Sequence, residues 1–199
     1  LASMILGAVA AIGQTNIKRL IAYSSIGHIG YALAGISTNT VSGYNSSIVY
    51  ISIYVVMNLG IFACIFLMKR DGKYCENLND LSGTSKHHPI LSISLLIILF
   101  SLAGIPPFAG FFAKFYIFMS VIESGMYTLA IIGLLSTIIS AFYYLRIIKI
   151  IYFENANKPF DQIKNIGIST TLLISTVILI TFFAYPSFLN RVVETLIIN

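Results

Sequence analysis

Ser101-Leu-Ala-Gly-Ile-Pro-Pro-Phe-Ala-Gly-Phe-Phe-Ala-Lys-Phe-Tyr116 breaks a long apolar run with Gly104, Pro106 and Pro107, then places Lys114 inside the same run. Consecutive prolines remove two backbone donors and disfavour helix in the residue before them, so the carbonyls near Leu102 and Ala103 are expected to lack intrahelical partners. At membrane depth such groups need protein donors or water. A lysine one or two turns further on is placed to share that polar pocket, and a helix break beside a charge points to ion movement.

The flanks decide the fold. Pro89 to Val121 is 33 residues of mainly apolar sequence. As one straight helix it would be about 50 Å long, against a hydrocarbon core of about 30 Å. Two half-helices, roughly Pro89 to Ala103 and Phe108 to Val121, with an unwound middle at 104–107, fit a single crossing. The composition agrees: 57% hydrophobic and 10% charged residues, with a mean hydropathy of +0.89, where soluble domains carry about 25% charge. We therefore expect an all-α, polytopic transmembrane helix bundle with one discontinuous helix. It is read as one transmembrane domain over 1–199, with spans at about 1–12, 20–38, 48–68, 89–121, 126–148 and 166–185. An uncharged turn is expected over Asn39 to Ser47, a polar loop over Lys69 to His88, and a loop over Tyr152 to Asn165. Pro186 ends the last span, and the tail to Asn199 reads as a short interfacial helix.

The run before Ile12 is about half of the roughly 20 residues that cross a bilayer, so the chain reads as the C-terminal part of something longer. No basic leader with a small-residue cleavage site explains it. The basic residues test the map, because loops on the cytoplasmic or matrix side hold excess Lys and Arg. Loops one, three and five hold Lys18 and Arg19; Lys69, Arg70, Lys73 and Lys86; and Arg146, Lys149, Lys158 and Lys164. Arg191 lies on the opposite side and Lys114 in the membrane, which accounts for all 12 basic residues. The net charge of +5 is thus a topology signal, not a nucleic-acid surface. Cys64 and Cys75 have neither disulfide nor metal-ligand spacing.

Lys114 is the leading candidate for chemistry, since an ionisable group at membrane depth faces a cavity or a partner. Burial disfavours the ammonium form, as a reversible proton carrier requires. The competing reading is a lysine that snorkels to the outer surface. His28 forms a polar stripe with Ser24 and Tyr31 on an otherwise apolar helix. It reads equally as a proton relay or as a neutral histidine bonded between helices. Tyr50, Tyr54 and Asn58 repeat every four residues and can hold water, although packing is the plainer reading, as it is for Ser136, Ser140 and Tyr143. Gly27, Gly30 and Gly35 read as close-approach positions. His87 and His88 are adjacent loop residues, unsuited to a metal pair. All seven acidic residues fall in loops or the tail, and no paired-carboxylate, Ser-His-Asp or Cys-His arrangement exists.

The stretch Gln14-Thr-Asn-Ile-Lys-Arg-Leu-Ile-Ala-Tyr-Ser-Ser-Ile-Gly-His-Ile-Gly-Tyr31, together with Ser101 to Tyr116, closely resembles the antiporter-like membrane subunits of NADH:quinone oxidoreductase, respiratory complex I. The resemblance covers nearly the whole chain. Lys114, Phe115-Tyr116 after it and no long lateral helix point to the subunit N branch, which includes mitochondrial subunit 2. It implies the second of two inverted five-helix repeats, truncated at its N-terminus, with Lys114 on the broken helix and His28 on the tenth. It also implies proton transfer by Lys114 and His28, with Ser24, Tyr31, Tyr54 and Asn58 along a water or proton path. Protons would move outward, with His28 and water as intermediates. No cofactor is implied here; FMN, iron-sulfur clusters and quinone belong to partner subunits. The partners are the other membrane subunits of complex I and the bilayer of a bacterial inner membrane or a mitochondrial inner membrane. The essential glutamate and lysines of the first repeat are absent, which leaves an exit half-channel. Two rival readings stand beside this one: a subunit of a sodium/proton antiporter or membrane-bound hydrogenase, and a fragment with only a structural role.

Overall fold

In the chain's computed structural model, residues 1–161 and 165–182 are described. Among these described residues, seven α-helices follow in order: α1 (Ala2–Ile12), α2 (Ile17–Ser37), α3 (Val41–Leu67), α4 (Pro89–Ala103), α5 (Ala109–Glu123), α6 (Tyr127–Phe153) and α7 (Ile166–Thr181). A two-residue hairpin, β1 (Lys69–Arg70) and β2 (Lys73–Tyr74), and two short 3-10 turns lie between α3 and α4. Side chains set the starts of three helices. Asn16, Thr40 and Asn165 accept the amides of Arg19, Gly43 and Ile168 at 3.1, 3.1 and 3.2 Å, which satisfies donors that a first helical turn leaves open. Pro89 occupies the first turn of α4, where its missing N–H costs nothing.

The turn expected over Asn39 to Ser47 is mostly helix. Thr40 caps α3 seven residues before the expected span, and Ser46 and Ser47 return their hydroxyls to the carbonyls of Ser42 and Gly43 at 2.7 and 2.8 Å. Serines that bond their own helix can sit in a membrane helix without a water partner, so polarity alone misled the boundary. Similarly, α6 continues to Phe153. Pro186, Arg191, Lys164 and the end of the last expected span lie outside the described residues.

Helices α2, α3 and α6 are each long and apolar enough to cross a membrane. Lipid is the fitting neighbour for α6, whose Ile138 and Phe142 are 67% and 59% exposed. At one end, loops one, three and five are tied together. Lys18 pairs with Glu76 at 2.6 Å, and Arg70 donates to the carbonyls of Asp80 and Lys158 at 3.2 and 2.9 Å. Arg146 donates to the carbonyl of Ile12, at the end of α1, at 3.3 Å. At the other end, Ser42 and Ser46 of α3 meet Ser120 of α5 at 3.2 and 2.8 Å. Half-helices α4 and α5 therefore run from the basic end to the opposite one. Their junction falls about 22 Å along from Pro89.

Candidate functional site

Two buried basic side chains define the centre, and they are held by different means. The first is Lys114. Helix α4 ends because Gly104 takes a left-handed conformation, φ +80°, open to glycine and strained for other residues. The Gly104 amide reaches the carbonyls of Phe100 and Ser101 at 3.1 and 3.0 Å, and the Ile105 amide reaches Phe100 at 3.0 Å. That leaves the next two carbonyls open. Lys114 Nζ donates to both, to Leu102 at 3.0 Å and Ala103 at 3.3 Å. The lysine is buried, turned toward the break, and not extended to the outer surface.

Two further contacts fix this geometry. Ser101 Oγ accepts the amide of Gly110 at 3.0 Å, which caps the first turn of α5 from the last turn of α4. The half-helices meet here at backbone distance, and a Cβ on Gly110 would overlap the Ser101 carbonyl oxygen. A Cβ on Gly104 would lie 3.0 Å from Lys114 Cδ. The end of α4 carries the negative pole of its helix dipole, which favours an ammonium there. Among the described residues no carboxylate pairs with Lys114. Its neighbours are peptide dipoles and the face of the Tyr31 ring, so releasing a proton strands no buried carboxylate among the described residues.

The second centre is His28, on α2. Nδ1 lies 2.7 Å from Tyr50 Oη and Nε2 lies 3.1 Å from Tyr144 Oη. Tyr54 stacks on the ring at 4.7 Å with 17° between the planes. Ser24 is hydrogen-bonded to Tyr144 in turn. Tyr31 separates the two centres: Lys114 Nζ sits 5.2 Å from its ring centroid, while its hydroxyl accepts from Thr137 at 3.0 Å and donates to the Gly133 carbonyl at 3.3 Å.

The fold thus gathers Lys114, His28, Ser24, Tyr31, Tyr50 and Tyr54. It does not bring Asn58, which lines an apolar groove of about 360 Å³ with Phe62, Ile168 and Thr171 between α3 and α7. Ser136 and Ser140 bond carbonyls of their own helix. Tyr144 and Ser101 were missed from the sequence. Tyr144 is fully buried beside the equally buried Tyr143, and the spacing from Ser136 and Ser140 singled out only the latter. Outside the membrane, His88 Nε2 accepts the amide of Phe160 at 2.9 Å. Both cysteines are buried free thiols, and among the described residues no three His, Cys, Asp or Glu side chains converge as a metal site requires.

The family model described as NADH:quinone oxidoreductase/Mrp antiporter, TM, matches residues 1–140. The chain belongs to this family. NADH-quinone oxidoreductase subunit N of Pelagibacter ubique is 62% identical over 194 residues, covering 98% of this chain and 41% of that protein. Subunit N of Parvibaculum lavamentivorans is 51% identical, covering 94% and 39%. The chain therefore spans about two fifths of the length of the curated relatives it matches. Among solved structures, a chain of respiratory complex I from Thermus thermophilus with bound aureothin superimposes with a TM-score of 0.83 at 27% identity, over 96% of this chain and 43% of that one. A chain of the Mrp complex from Dietzia sp. DQ12-45-1b gives 0.86 at 20% identity, over 98% and 44%, a likeness of fold.

Proposed function

We propose that this chain is the lysine-bearing second repeat of an NADH:quinone oxidoreductase subunit N, and that Lys114 takes up and releases the proton moved across a bacterial inner membrane. One observation carries the reading. A buried lysine, with no carboxylate partner among the described residues, is bonded to the two carbonyls that a helix break frees. The 62% identity to a subunit N supports that branch over the antiporter reading. Electron transfer from NADH to quinone belongs to partner subunits, which hold FMN, iron-sulfur clusters and quinone. This chain supplies proton movement, with the other membrane subunits of the complex as partners. His28 is the second proton-exchanging group, and Ser24, Tyr31 and Tyr54 are its surroundings.

The test is Lys114→Ala or Lys114→Met in the full-length protein, assembled in its complex and assayed for proton pumping during NADH oxidation. Pumping is expected to be lost. An unchanged number of protons per NADH overturns the assignment.

A further inference from the structure

The hydrogen bonds of His28 form a continuous line with a direction. Ser24 Oγ meets Tyr144 Oη, Tyr144 Oη meets Nε2, and Nδ1 meets Tyr50 Oη. Ser24 lies in the second turn of α2, whose first residue adjoins Lys18 and its partner Glu76. Tyr144 lies on the half of α6 that ends at the basic loops. Lys114 lies beyond Tyr31, on the half-helix that ends at Glu123 on the opposite side. From His28 the Tyr144–Ser24 arm therefore runs toward the basic loops, while Tyr50, on the half of α3 that begins at Thr40, lies at the other end of the line.

We propose that Ser24, Tyr144 and His28 form the uptake limb that brings protons from the basic-loop side, with Tyr144 the relay residue joining α2 to α6. This rests on the reading of the chain as a proton-translocating subunit, and it places His28 before Lys114 on the outward route. In one passage a proton binds Ser24 Oγ, and the serine's own proton moves to Tyr144 Oη. Tyr144 passes its hydroxyl proton to Nε2, and the ring, whose Nδ1–H donates to Tyr50 Oη, holds the arriving proton. One proton enters at Ser24, the ring gains one, and every oxygen keeps its hydrogen. Stacking on Tyr54 and the bonds at both nitrogens prevent the ring from turning over, so each passage must be followed by a reset of the hydroxyls. The groups facing His28 are Tyr31 on its own helix, Tyr50 and Tyr54 on α3, Tyr144 on α6 and, across the Tyr31 ring, Lys114 on α5.

The experiment compares Tyr144→Phe, Ser24→Ala and Ser24→Thr in the full-length protein within the assembled complex, in sealed vesicles energised with NADH. Tyr144→Phe keeps the ring and removes its hydroxyl, and Ser24→Thr keeps the hydroxyl. Pumping is expected to fall at least about tenfold for Tyr144→Phe and Ser24→Ala, as when a positioned proton-transfer group is lost, and to persist in Ser24→Thr. Lowering the pH of the compartment that faces the basic loops is expected to restore part of the rate. Lowering it on the far side is not. A packing defect would fall equally on both serine variants and ignore the compartment. Normal pumping in Tyr144→Phe and Ser24→Ala, with Lys114→Met blocked, overturns the uptake limb and leaves the lysine's role standing. Normal pumping in Lys114→Met overturns the underlying reading instead.

Discussion

Lys114 and His28 are equally buried but depend on different parts of the chain. The lysine is held by backbone: two carbonyls, eleven and twelve residues away, freed by the break. The histidine is held by side chains that arrive from α3 and α6, 22 and 116 residues away. A peptide carbonyl stays in place whichever residues surround it, so the Lys114 site is as firm as the turn that exposes it. A tyrosine clamp is only as firm as the helix packing behind it. The comparison teaches that one site is a property of a local turn and the other of the assembled bundle.

The largest predicted effect falls on the turn. Gly110→Val places atoms where the Ser101 carbonyl lies, forcing the half-helices apart at a cost of about 3 kcal/mol. The full-length protein should unfold at markedly lower temperature in detergent and assemble poorly. Normal melting would show that the half-helices do not meet as described.

His28→Leu tests the clamp. It deprives the hydroxyls of Tyr50 and Tyr144 of a partner, and a buried unsatisfied group costs about 1 to 3 kcal/mol. A moderate fall in stability is expected, with the Lys114 contacts retained, since none of them passes through His28. If the Lys114 environment changed as well, for example in the reactivity of its amine, the two centres would be one unit and the contrast between them would fail.

A smaller effect is expected at His88, which belongs to neither centre. Burial first, and the neighbouring His87 second, hold its ring below the usual 6.5. The neutral ring is also the form that accepts the Phe160 amide. The folded state thus binds its proton less readily than the unfolded one, so the contact contributes fully above the unfolded value and weakens as pH falls below about 6.5. The protection factor of the Phe160 amide, corrected for intrinsic exchange, should be higher at pH 8 than at pH 5.5, while Gly104 stays protected at both. A protection factor independent of pH would rule out the contact.

The same contrast explains what the sequence could reveal. The break was legible because Gly104, Pro106 and Pro107 act on their own backbone, and the positive charges were legible because they avoid the bilayer. The serines in the first turns of α3 misled the boundary by bonding carbonyls of their own helix. The stripe Tyr50, Tyr54, Asn58 failed at its last member for a geometric reason: residues four apart turn by about 40° per step, so after two steps the face has rotated by about 80°. Asn58 therefore faces α7 while Tyr50 and Tyr54 face His28. Tyr144 needed the fold, since no local pattern sets it above Tyr143.

The central claim, that Lys114 works by exchanging its proton and not by supplying a fixed charge, is tested most directly by Lys114→Arg. An arginine keeps the positive charge and the donors for the Leu102 and Ala103 carbonyls but does not deprotonate in a protein. In the assembled complex, with Lys114→Met alongside as the uncharged comparison, NADH-driven pumping should be lost in both variants. Pumping at the wild-type stoichiometry in Lys114→Arg would show that the charge suffices and would contradict the account.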